Sequence, residues 1–126
     1  MKKDFKIPVS TNVGLAIVKH DEDDYYEAYI INQKDVVAIE QIMVNISAYK
    51  DDKKTSDMRR VIKVMPANTG EKIENILPEV LEFKTTYLIS YFIDNTLYDK
   101  KIIVENPDFS TSTLISPIGK EGIMLW

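Results

Sequence analysis

Thr86-Tyr87-Leu88-Ile89-Ser90-Tyr91-Phe92-Ile93-Asp94-Asn95-Thr96-Leu97-Tyr98-Asp99-Lys100-Lys101-Ile102-Ile103-Val104 is the stretch that decides the fold. Two runs rich in aromatic and β-branched residues flank Asp94-Asn95-Thr96. Such residues suit the pleated surface of a strand. Asp and Asn tolerate the left-handed backbone that a tight turn needs. The stretch therefore predicts a β-hairpin. Both alternating faces of its first run are apolar, which predicts a central strand buried on both sides. In the second run Tyr98, Ile102 and Val104 share a face, and Asp99 and Lys101 point away. Lys100 and Ile103 do not fit that alternation.

Upstream of the hairpin, Ile73, Ile76, Leu77, Val80 and Leu81 have helical spacing, but Pro78 interrupts them. Proline disrupts a helix interior and is well suited to its first turn. The prediction is a strand to about Leu77, then a short helical turn opened by Pro78. Met58 to Met65 reads as a strand stopped by Pro66, and Lys50 to Asp57 as a charged loop. Val36 to Tyr49 reads as one long strand. In its second half Ile42, Val44, Ile46 and Ala48 oppose Gln41, Asn45 and Ser47, with Met43 the exception. Tyr25 to Asn32 places Tyr26, Ala28 and Ile30 opposite Tyr25, Glu27, Tyr29 and Ile31. Val13 to Lys19 supplies one further strand, and polar turns over His20–Asp24 and Gln33–Asp35 separate these elements. Ile42, Val44, Ile46, Ile89, Tyr91, Ile93 and Ile102 are the predicted core.

Downstream, Asn106 to Ser112 reads as a loop, and Leu114-Ile115 and Gly122-Ile123-Met124-Leu125-Trp126 as an apolar tail. Four successive large apolar side chains left free would form a sticky patch. The tail is expected to dock on its own chain, with homodimerisation through this C-terminal segment as the other way to cover it.

Short alternating strands with turns about every 8–12 residues predict an all-β fold, an antiparallel β-sandwich of seven or eight strands. The chain has 126 residues, which fits a single domain over 1–126. Apolar residues make up 44% and charged residues 29%, ordinary globular usage that argues against global disorder. The net charge of -4 provides no global attraction to nucleic acid or anionic lipid. The absence of cysteine excludes disulfide scaffolds, thiolate metal sites and cysteine nucleophiles. The charged start over residues 1–12 resembles a leader, but Gly14-Leu15-Ala16-Ile17-Val18 is too short for a signal-peptide core. No run approaches the roughly 20 apolar residues that span a bilayer. A cytoplasmic chain that does not enter a membrane is expected.

The chemistry-bearing residues are few. His20, the one histidine, precedes Asp21-Glu22-Asp23-Asp24. Consecutive acids on an extended chain point in opposite directions, and no glycine supplies the bend of a calcium loop. A solvated turn is the reading. Any Ser-His-Asp triad must use His20, and no G-x-S-x-G elbow is present. The four glycines match neither a P-loop nor G-x-G-x-x-G. No catalytic, cofactor or metal site is predicted.

Two surface features carry partner hypotheses. From Lys50 to Lys63, the cations Lys50, Lys53, Lys54, Arg59, Arg60 and Lys63 outnumber the acids Asp51, Asp52 and Asp57. Lys53, Lys54, Arg59 and Arg60 could contact an anion or a partner. No aromatic lies among them to stack a base, so nucleic acid is disfavoured and a charge-guarded edge strand is the simpler reading. Tyrosine is enriched at protein interfaces. Tyr25 and Tyr29, opposite Ala28 and Ile30, and Trp126 are the candidate interface residues.

Ile76-Leu77-Pro78, followed by Tyr87-Leu88-Ile89-Ser90-Tyr91, resembles the corner before the sixth strand of immunoglobulin-like and fibronectin type III folds. In those folds a tyrosine hydroxyl bonds back to upstream backbone. The resemblance implies an immunoglobulin-like Greek key. Lys53-Lys54-Thr55-Ser56, Arg59, Met65-Pro66-Ala67-Asn68, Tyr91-Phe92-Ile93-Asp94-Asn95 and Tyr98-Asp99-Lys100-Lys101 resemble a family of short uncharacterised bacterial proteins. Some members are labelled phenylalanyl-tRNA synthetase subunit. That resemblance implies a cytoplasmic bacterial protein and carries over no site. The expected function is a non-catalytic protein-interaction or scaffold module, with an unknown protein partner and no cofactor. The alternative is a binder of a small anionic ligand or RNA through segment 50–63.

Overall fold

The computed structural model describes residues 12–20, 24–33 and 37–126. The leader-like start, the middle of the acidic turn after His20 and most of the turn after Gln33, with Val36, lie outside the described residues. The strands are β1 (Val13–Lys19), β2 (Tyr26–Asn32), β3 (Ile39–Lys50), β4 (Lys53–Met65), β5 (Thr69–Ile76), β6 (Lys84–Ile93), β7 (Thr96–Val104), β8 (Thr113–Ile115) and β9 (Lys120–Leu125). They form two antiparallel sheets, ordered β5-β2-β1-β9-β8 and β4-β3-β6-β7. The fold is an all-β sandwich. Among the described residues the helical turns are three short 3-10 segments. One is Pro78–Glu82, which opens on its proline as predicted. Among the described residues the strands number nine rather than seven or eight, and β8, at three residues, is too short to show a period.

The hairpin of β6 and β7 forms as read, closed by Asp94 and Asn95, both at positive φ. Asp51 and Asp52 close the β3–β4 hairpin in the same way. The expected loop over Lys50–Asp57 is therefore a two-residue turn followed by strand, with β4 starting at Lys53 instead of Met58. Lys53 to Arg60 are exposed on both faces, so burial leaves no alternation there to mark a strand. β3 starts at Ile39, and Gln41, at φ 50, marks the register shift that separates it from a regular ladder.

Two apolar cores flank the five-stranded sheet. The larger lies between the sheets and takes Leu15, Ile17, Ala28 and Ile30 from one side and Ile42, Val44, Ile46, Tyr87, Ile89 and Tyr91 from the other. Six of the seven predicted core residues are buried, and Ile93, next to the hairpin turn, is half-buried. The smaller core joins Ala16, Val18 and Ile31 on the outer face of that sheet to Ile115 and Ile118. The segment from β8 through the Ser116–Ile118 turn thus covers this face, and Val13 to Val18 of β1 are all buried. β9 pairs with β1 at Leu15–Leu125, Ala16–Met124 and Ile17–Ile123, so the apolar tail docks within its own chain. Close approach requires a glycine there: a Cβ on Gly122 would stand 2.5 Å from the Ile17 carbonyl oxygen.

Polar groups bridge the layers. Lys100, the misfit of the β7 alternation, points inward and donates to the Val13 carbonyl at 2.6 Å. Burial pushes its ammonium below the usual lysine range. The fully buried Asn32 amide reaches the carbonyls of Val37, Met65 and Pro66 at 3.0, 3.3 and 3.2 Å, which pins two connections to the end of β2. Arg60 donates from Nε to the Ile73 carbonyl at 2.7 Å, joining β4 to β5. The Tyr87 hydroxyl donates to the side chain of Glu74.

Candidate functional site

The pleat sends Ile42, Val44 and Ile46 into the core and turns Met43, Asn45 and Ser47 outward. Register places neighbours beside them. Met43 faces Val61 on β4 and Ser90 on β6, Ser90 faces Asp99 on β7, and Phe92 faces Leu97. Val61 is 65% exposed and Leu88 45%. Met43, Val61, Phe92 and Leu97 line a shallow groove of about 560 Å³, with Gln41, Lys63, Ser90 and Asp99. Ser90 donates to Asp99 at 2.6 Å, so the polar floor is already bonded.

β6 is central, between β3 and β7, but it is buried on one face only. The expectation of burial on both faces is corrected here: Leu88 and Phe92 belong to the outer face. The apolar pattern that suggested a second covering layer marks this surface instead.

The basic residues do not converge. Arg59 and Arg60 are neighbours on a strand, so they point to opposite faces. Arg59 donates to Asn45 at 3.2 Å on the outer face, and Arg60 reaches inward to β5. Lys54 pairs with Asp57 at 3.4 Å, and Lys53 sits at the end of the hairpin. Serine 47 and Lys54 together hold the Asp57 carboxyl below the usual carboxylate range. These contacts suit an edge strand that resists pairing better than one anion pocket. At this end of the sheet Lys50 lies over the Phe83 ring and Lys84 over the Tyr49 ring, at 5.2 and 5.6 Å.

The aromatic candidates lie elsewhere. Tyr25 is half-buried and stacks on His20, with ring centroids 4.5 Å apart. Tyr29 is half-buried beneath the covering segment and donates to Glu27 at 3.1 Å. Lys72 and Lys120 approach the same carboxylate at 3.4 and 3.7 Å. Trp126 is 51% exposed, and its ring lies against Gly14. None of the three lines the groove.

No protein-family model, curated protein or solved structure matches this chain.

Among the described residues, no group of three or more His, Asp or Glu side chains could hold a metal ion. No helix among them is long and apolar enough to cross a membrane. Met43, Val61, Phe92 and Leu97 were not singled out as a site by sequence reasoning. The available signal was Met43, an apolar residue on the polar side of an alternating strand.

Proposed function

We propose that this chain is a non-catalytic protein-interaction module of immunoglobulin-like Greek-key type, acting in the cytoplasm. The exposed apolar groove on the outer face of the four-stranded sheet carries the reading. Sandwich domains act through surfaces, and a groove walled by Met, Val, Phe and Leu suits side chains of another protein. The order β5-β2-β1 opposite β4-β3-β6-β7 supports the Greek-key assignment, and the resemblance to cytoplasmic bacterial proteins supports the compartment.

Affinity capture with the wild-type chain and two charged variants tests the function. Val61→Asp places a charge at the groove, and Leu114→Asp places one at an equally exposed position on β8. A partner retained by wild type and Leu114→Asp, and lost with Val61→Asp, is the expected result. A partner set unchanged by Val61→Asp would overturn the reading.

A further inference from the structure

We infer that the occupant of the groove is an acidic, apolar-bearing segment of another protein, an inference that rests on the interaction reading above. Charge carries it. Register places Lys54, Arg59, Lys84 and Lys101 on the same outward side as Met43 and Leu88, and Lys63 lines the groove itself. The carboxylates on this side are Glu40, which faces Phe92, Asp57 and Asp99. Asp57 is held by Ser47 and Lys54, and Asp99 by Ser90. Five cations against three carboxylates therefore give this face a positive excess on a chain whose net charge is -4.

The cations frame the apolar floor. Lys63 lies beside Val61, while Arg59 and Lys101 sit in the next row, on either side of Asn45 and Leu88. A segment with large apolar residues for the floor and carboxylates for the rim complements both features. A second copy meeting this face with its own would set cations against cations, which opposes association. RNA would meet an aliphatic floor on which Phe92 is the one aromatic ring, and stacking on successive aromatic rings sustains single-strand binding.

Random peptides displayed on phage and selected on the folded full chain test the inference, with the Val61→Asp chain used for counterselection. Recovered peptides should combine Asp or Glu with Leu, Phe or Trp. Synthetic copies should bind more weakly at high salt, and about tenfold more weakly to Lys63→Glu. Circular dichroism establishes that each variant is folded. Recovered peptides that lack acidic residues, or that bind Lys63→Glu unchanged, overturn the charge inference and leave the interaction reading standing. No enrichment over Val61→Asp overturns both. Val61-dependent binding of oligouridylate or anionic vesicles, or a dimer in sedimentation that Lys63→Glu dissolves, overturns the choice of occupant.

Discussion

Tyr87 on β6 donates its phenolic hydrogen to Glu74 on β5 across 2.5 Å, and this bond ties one sheet to the other. Burial disfavours the charged form of both groups. Burial pushes Glu74 above the usual carboxylate range, against the pull of the Tyr87 hydroxyl and the Arg60 charge. Burial also pushes the Tyr87 phenol up, and the Glu74 charge adds to it.

Tyr87→Phe removes the hydroxyl and leaves the Glu74 carboxyl without that donor. The expected loss is about 1–3 kcal/mol, the cost of a buried polar group deprived of its partner. Urea unfolding measures it. An unchanged midpoint would show that the bond does not stabilise the sandwich.

Glu74 and Glu27 give the protein opposite responses to pH. The raised Glu74 holds its proton more tightly in the folded state, so its contribution is full below 4.5 and is lost as pH rises through its native value. For Glu27, burial pushes upward, but the Tyr29 hydroxyl, Lys72 and Lys120 outweigh it and the net shift is down. Its contribution is full above 4.5 and is lost as pH falls through its native value. Urea midpoints measured from acid to neutral pH should lose the acid-side decline in Glu27→Gln and the decline with rising pH in Glu74→Gln. Parallel profiles for both variants and wild type would contradict these assignments.

Ile46 is 2% exposed and faces the core between outward Asn45 and Ser47. Ile46→Ala should cost about 2–5 kcal/mol by chemical denaturation. A cost under about 0.5 kcal/mol is what a surface position would give.

Deleting residues 122–126 removes the β9 residues that pair with one side of β1, whose other side stays paired with β2. The melting temperature should drop, and sedimentation should show larger species, because β1 becomes an open apolar edge. Gly122→Ala should weaken the same pairing through its clash with the Ile17 carbonyl. A truncated chain with unchanged melting and mass would mean that β9 adds nothing to the fold.

The sequence revealed those elements whose two faces meet different surroundings. β3 is legible because core and solvent alternate along Ile42 to Ser47, and the β6–β7 turn because Asp94 and Asn95 accept positive φ. The early part of β4 was hidden because both of its faces meet water. Lys100 broke its pattern because its stem is buried while its ammonium finds the Val13 carbonyl, a partner from a distant strand. The candidate groove was half legible. Apolar residues on both faces of β6 announced two apolar surfaces, but side-chain type alone does not distinguish a face covered by its own chain from one left for a partner. The outer faces of the two sheets show both outcomes, since residues 115–118 cover one and none of the described residues buries Val61 or Leu88 on the other. The candidate basic residues are divided between the two faces of β4, because neighbours in sequence became opposites in space, as with Arg59 and Arg60.

The pairing of Leu15 with Leu125 has a consequence for how the protein is made. β1 and its neighbour β2 are translated early, yet β9, the strand on the other side of β1, follows β2 to β8 in the chain. Until then β1 carries an almost wholly apolar ribbon with one side unpaired. Contacts so distant along the chain close slowly, and an unpaired edge is open to the wrong neighbour. A nascent chain stalled before Lys120 should therefore be a good client for chaperones that recognise extended apolar segments, and release of β9 should end that dependence.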